Sequence, residues 1–149
     1  MRAVIQRVKS ASVTVENEVI SSISQGFLIL LGVVKEDTQA DIDYIVKKIV
    51  GLRVFEDSDE KMNLSIQDIK GEIIVVSQFT LAGDARKGRR PSFSNAMAPE
   101  YANKMYMQVV EQIKSYGIPT GTGSFGAMMD VELVNDGPVT ILLDSHRNF

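Results

Sequence analysis

Apolar and polar residues alternate from Ala3 to Val15, with Val4, Val8, Val13 and Val15 among the apolar positions. A second alternating run, Val19 to Ile23, follows Glu16-Asn17-Glu18, so the chain opens on a predicted β-hairpin. Phe27 to Leu31 is continuous rather than alternating and stands between Gly26 and Gly32, which predicts a strand covered on both faces. Thr38 then caps a helix in which Ile42, Ile45, Val46, Ile49 and Val50 recur at helical spacing and which Gly51 stops. Ile73 to Val76 is a β-branched run leading into Ser77-Gln78-Phe79-Thr80-Leu81. A second helix is expected to start near Pro99, bury Tyr101, Met105, Val109 and Ile113, and end at Gly117. Met128 to Val134 and Val139 to Leu143 read as two strands flanking Gly137-Pro138. There is no repeat, low-complexity tract or linker. The expectation is one α+β domain over residues 1–149, with an antiparallel, mixed or barrel-like sheet and two main helices, about 38–51 and 99–116.

Composition narrows the function classes. A chain of 149 residues suits one domain and can bury roughly 68–70% of its unfolded surface. The longest purely apolar run, Phe27 to Leu31, is too short to span a bilayer, so no membrane partner is expected. Arg2, Gln6, Arg7 and Lys9 interrupt the N-terminal aliphatics, which predicts no leader peptide. With zero Cys there is no thiolate or disulfide chemistry, in keeping with a cytoplasmic setting. The net charge of -3 argues against general attraction to nucleic acid. Any such contact must be local, and Arg86, Lys87, Arg89 and Arg90 concentrate four of the 16 basic residues within five positions. Composition alone leaves this segment either a solvated loop or a phosphate-contacting one.

Three weaker signals do not hold up. Gly121-Thr122-Gly123-Ser124-Phe125-Gly126 matches the dinucleotide fingerprint, but that fingerprint needs a strand before it and a helix after it, and here the predicted order is the reverse. A tight turn lining a pocket is the preferred alternative. Asp57, Asp59 and Asp68 loosely resemble a calcium loop whose fifth and sixth positions would be Lys61 and Met62, the latter where glycine is needed. The only histidine, His146, lies near the C-terminus and reads as a surface residue; no carboxylates cluster at ligand spacing, so neither a metal nor a cofactor is expected.

Ser77-Gln78-Phe79-Thr80-Leu81 and Asn135-Asp136-Gly137-Pro138-Val139-Thr140 both place small polar groups and backbone amides beside strands expected to be buried. Together they resemble the two signature motifs of the D-aminoacyl-tRNA deacylases (D-tyrosyl-tRNA deacylases), which hydrolyse the ester joining a D-amino acid to the terminal ribose of tRNA. The resemblance spans nearly the whole chain. Met1 to Val8 is similar to the family's start, Leu52 to Asp57 to its middle, Lys87 to Phe93 to the loop after the first signature, and Gly123 to Ala127 to the stretch before the second.

Ser77 and Thr80 are the only hydroxyl nucleophiles in the first signature, and no base accompanies them. On spacing alone, Ser77 to Thr80 is also consistent with a strand end whose hydroxyls satisfy local backbone groups. An aminoacyl ester is activated and carries a neighbouring ribose hydroxyl, so it needs chiefly positioning and oxyanion stabilisation. For such a substrate the expectation is that backbone amides around Phe79 and Thr80 serve as oxyanion donors, supported by Gln78 and Ser77. The resemblance implies further that Gly137-Pro138 forms a cis pair inserted from one subunit of a homodimer into the other's pocket, where it excludes L-amino acids. Arg7 would orient that pair, Phe125 and Met129 would line the pocket, and Arg86, Lys87, Arg89 and Arg90 would hold the tRNA acceptor end. Plain core packing remains open for Phe125 and Met129, and an ordinary turn for Gly137-Pro138. Two other functions stay open: a non-catalytic RNA-binding module, and a small-ester hydrolase with Thr80 as nucleophile.

Overall fold

The computed structural model describes all residues, 1–149. The opening hairpin forms as expected from β1 (Arg2–Val15) and β2 (Glu18–Ile23), with Glu16 and Asn17 at positive φ in the turn. β3 (Gly26–Gly32) pairs antiparallel with the first half of β1 and parallel with β6 (Glu72–Ser77), which in turn runs parallel to the short β7 (Thr120–Thr122). β8 (Asp130–Asp144) lies along the other side of β1. The sheet curls until β2 meets β7. There the Ser21 hydroxyl donates to the Thr122 carbonyl at 2.5 Å and accepts the Thr122 N–H at 3.1 Å, so a side chain completes the nearly closed barrel in place of a backbone ladder. A separate two-stranded ribbon, β4 (Phe55–Glu56) with β5 (Met62–Leu64), stands apart.

The apolar run of β3 is buried on both faces because successive residues serve two cores. Phe27, Ile29 and Leu31 face helices α1 (Gln39–Gly51) and α2 (Pro99–Ser115), while Leu28 joins Val8, Val13, Ile74 and Val76 in the second core, against which Val131 and Leu133 of β8 also pack. α1 starts as predicted, its Asp41 carboxylate accepting the Thr38 N–H at 2.7 Å. α2 buries Val109 and Ile113 as expected, with Met105 partly buried against the core, but its stripe begins at Ala102 and runs through Tyr106 and Val110, leaving Tyr101 exposed. Steps of 4-4-4 from Tyr101 drift about 120° around a helix, whereas the 4-3-4 steps from Ala102 drift only about 20° and hold one face. No helix is long and apolar enough to cross a membrane.

Residues 128–134 and 139–143 do not form two strands either side of a turn. β8 is continuous, and Gly137-Pro138 sits in a bulge within it. Gln6 pairs with Thr140 and Val8 with Asn135, so Arg7 alone stands opposite the four residues Asp136 to Val139. The C-terminal tail is also better fixed than expected. Ser145 donates its N–H to the Met1 carbonyl at 2.9 Å, and His146 Nε2 lies 3.2 Å from Asp37 and 3.1 Å from Asp41. These three form a group of potential ligands that distance along the chain concealed. Asp37 is already engaged there, by the Val34 N–H at 2.7 Å and by the Met1 amino group.

Candidate active site

β6 delivers Ser77 to the rim of a cavity of about 680 Å³. The chain then folds into a single 3-10 turn, Phe79–Ala82. Gln78 ties the turn to the sheet by donating its N–H to the Leu31 carbonyl at 2.8 Å, and the first bond of the turn runs from the Leu81 N–H to the Gln78 carbonyl at 3.2 Å. A turn of this kind provides no internal acceptor for its leading N–H groups, those of Phe79 and Thr80. It packs directly on the end of β3: a Cβ on Gly32 would lie 2.9 Å from both the Gln78 carbonyl oxygen and Leu81 Cβ.

The cavity is walled by Ser77, Gln78 and Phe79 on one side, by Phe125 to Met129 on another, and by Phe93 and Met97 to Pro99 at the start of α2. Not one lining side chain is ionisable. Phe79 is 57% exposed, its ring meeting Phe93 edge-on at 5.3 Å, and Met128, at 92% exposure, stands at the mouth. Phe125 and Met129 line the cavity and also pack on the two cores, so the lining and packing alternatives coincide. Beneath the wall, buried Tyr106 donates its hydroxyl to the Val75 carbonyl at 2.6 Å and packs against Phe125 at 6.1 Å. Burial pushes the Tyr106 phenol up to about 12.

Thr80 is exposed, and its hydroxyl accepts from the Gln78 side-chain amide. That neutral amide cannot serve as a base. Asp84 is a loop residue, held well below the usual carboxylate range by hydrogen bonds from Arg86.

Gly137-Pro138 does not line the cavity of its own chain. The peptide between them is cis. Arg7, only 5% exposed, reaches beneath the bulge, donating from Nε to the Asp136 carbonyl at 3.0 Å and from Nη1 to the Val54 carbonyl at 2.7 Å. Asn135 was missed among the expected site residues. Its side chain accepts the Val139 N–H at 2.7 Å and donates to the Val139 carbonyl at 3.2 Å, clasping the bulge at its base. An Asn two residues before a Gly-Pro pair was the available signal.

The basic segment is a loop closed at its base by the reciprocal Asp84 and Ser92 backbone bonds, 2.8 and 2.9 Å. Arg86 is not a free cation, since it holds Asp84 in a bidentate pair at 2.9 and 2.6 Å. Lys87, Arg89 and Arg90 are exposed and make no ion pair.

A family model described as D-Tyr-tRNA(Tyr) deacylase matches residues 4–144. A D-aminoacyl-tRNA deacylase of Clostridioides difficile (strain 630) is 58% identical over 149 residues, covering all of both chains. One of Desulfitobacterium hafniense (strain DSM 10664 / DCB-2) is 56% identical over the same length, again covering all of both. A solved structure described as c-Myc DNA Unwinding Element Binding Protein is 47% identical with a TM-score of 0.92, covering 97% of this chain and 98% of that one. A probable eukaryotic D-amino acid tRNA deacylase shares the fold at a TM-score of 0.80 and 16% identity, covering 95% of this chain and 97% of that one. With relatives more than half identical along its entire length and both signature segments shaping the cavity and the bulge, this chain belongs to the D-aminoacyl-tRNA deacylase family.

Proposed function

We propose that this enzyme, a carboxylic ester hydrolase by family, cleaves D-aminoacyl-tRNA through main-chain donors and substrate reactivity, and rejects L-amino acids by shape. The observation that carries this reading is a cavity beside the signature turn with no acid or base in its walls. Phe79 and Thr80 N–H groups receive the ester carbonyl oxygen as charge develops on it, and one such donor is worth about 10²–10³ in rate. Ser77 and Gln78 are supporting donors, and Gln78 also ties the turn to the end of β3. Water attacks the carbonyl carbon with help from the RNA's own 2′-hydroxyl, and the ester oxygen leaves on the ribose. The products are free D-amino acid and tRNA.

Gly137-Pro138 from a second copy fills one side of the cavity, its carbonyls gripping the amino group and leaving no space for an L side chain. The outward bulge, its distance from the lining of its own cavity and its support by Arg7 are what this assignment rests on. A Gly-bearing tRNA has no Cβ to exclude and is cleaved as well. Phe125 and Met129 shape the pocket, and Lys87, Arg89 and Arg90 hold the acceptor end by its phosphates. A tRNA substrate puts the enzyme in the cytoplasm.

The Thr80 hydroxyl decides between this mechanism and an acyl-enzyme. Thr80→Ala and Thr80→Val are expected to retain turnover of D-aminoacyl-tRNA. Loss of all turnover in both, with an acyl-threonine trapped in the parent, would establish the nucleophile instead. The description of one solved relative as a DNA-element binding protein favours a second reading, a nucleic-acid-binding role beside the ester hydrolysis. That role requires binding indifferent to aminoacylation.

A further inference from the structure

Arg2 stands at the start of β1, paired across the sheet with Gly32 of β3 on one side and Asp144 of β8 on the other. Its Nη1 donates to the Leu81 carbonyl at 2.8 Å, and its Nε lies 3.5 Å from Asp144 Oδ2. Asp144 is 3% exposed and is itself held by the His146 N–H and the Asn148 side chain, both at 2.8 Å. It is thus a fixed carboxylate that sets the direction of the guanidinium. Gly32 offers no side chain between Arg2 and the turn. The last carbonyls of a helical turn have no partner within it, and Leu81 is one of those groups.

From this geometry we infer that Arg2, aimed by Asp144, is a positioning residue for deacylation: it anchors the rear of the Phe79–Ala82 turn so that the leading amides keep their aim into the cavity. The inference rests on the oxyanion role proposed for that turn. The front of the turn is tied by the Gln78 N–H to Leu31, and the rear by Arg2 alone among side chains. Packing on Gly32 and burial of Ala82 seat the turn, and the two hydrogen-bonded anchors fix its orientation there; with one lost, the aim of the amides loosens. Arg2 is absent from the cavity lining, so its loss acts on the chemical step and leaves substrate binding and enantiomer choice intact.

The test is steady-state and single-turnover cleavage of D-aminoacyl-tRNA by Arg2→Met, Arg2→Lys and Asp144→Asn, with thermal melting of each. Misplacing a catalytic donor by about an ångström costs up to about 10²-fold, so Arg2→Met is expected to lower kcat about tenfold with KM within about twofold. Arg2→Lys retains a donor and recovers part of the loss. Asp144→Asn lowers kcat less, and adds little when combined with Arg2→Met. The D to L ratio is unchanged throughout. Parental kcat in folded Arg2→Met, a matching rise in KM, or activities that simply follow melting temperature across the series would overturn the inference. If Arg2→Met does not fold, Arg2→Lys and Asp144→Asn decide alone: parental kcat in both overturns it. A parent that releases no D-amino acid defeats the oxyanion reading itself, whatever the Arg2 variants do, whereas an acyl-threonine would replace the attacking water and leave the donors their role.

Discussion

Residue by residue, the proposed mechanism relies more on main-chain groups than on side chains, and this makes Phe79 separable into two parts. Proline suits the first position of a helical turn, and Gln78 before it, at φ -141° and ψ 84°, already lies outside the α region that a following proline disfavours. Phe79→Ala removes the ring and keeps the amide, whereas Phe79→Pro removes both. If the amide is an oxyanion donor, single-turnover rates should put the proline variant about 10²-fold or more below the alanine variant. Equal rates would leave the amide without a role. Tyr106 is expected to show itself in stability. Its phenol is raised in the fold, so the folded protein keeps a proton that the unfolded chain releases from about pH 10. That contribution is complete below pH 10 and is lost as pH rises towards about 12, at up to about 1.4 kcal/mol per pH unit. Urea unfolding of the parent should therefore weaken over that window more steeply than that of Tyr106→Phe. Such residues were hard to find in the sequence. Ser77 to Thr80 stood out by family likeness, but Tyr106 and Asn135 act through contacts with Val75 and Val139 that no local pattern reports.

Elements were legible where one physical rule governed them alone. The β1–β2 hairpin, the doubly buried β3 and the capped α1 follow from alternation, continuity and a 3.6-residue period. β8 was misread because Gly-Pro signals a turn, and only the pairing with β1 shows that the strand passes through it as a bulge. The start of the α2 stripe was misread because the large Tyr101 outweighed the small Ala102 that lies on the buried face. In the basic loop, counting cations overlooked the Asp84 partner two residues before Arg86. Three free cations instead of four set the expected salt dependence. At about 0.7 per single-stranded phosphate contact, log affinity for uncharged acceptor RNA against log salt should slope near -2. Lys87→Ala should flatten it by about 0.7, while Arg86→Ala leaves it in place. A flat dependence in the parent would make the loop a solvated surface.

For the whole molecule, β8 is a 15-residue strand paired only with β1, and it carries exposed Val134 and Leu142 at 51% and 55%. Long open edges of this kind pair with another chain. The proposed homodimer, in which each copy lends Gly137-Pro138 to the other, would make the site a shared object, which mixing can reveal. At Gly137 a Cβ would lie 3.0 Å from Arg7 Nη2 and 2.9 Å from Val139 Cγ2, and φ is +128°, so Gly137→Ala should displace the bulge. Refolded together, Gly137→Ala and Phe79→Pro, each inactive alone, should regain up to about a quarter of parental activity, from heterodimers holding one intact site. No recovery would return the bulge to its own chain. The most direct measurement offers the enzyme one tRNA scaffold bearing D-alanine, L-alanine or glycine and follows free amino acid. Exclusion by main-chain shape predicts that the D-alanyl and glycyl esters are cleaved and the L-alanyl ester survives. Cleavage of D-alanyl-tRNA with glycyl-tRNA wholly inert would contradict it, because recognition would then require the side chain.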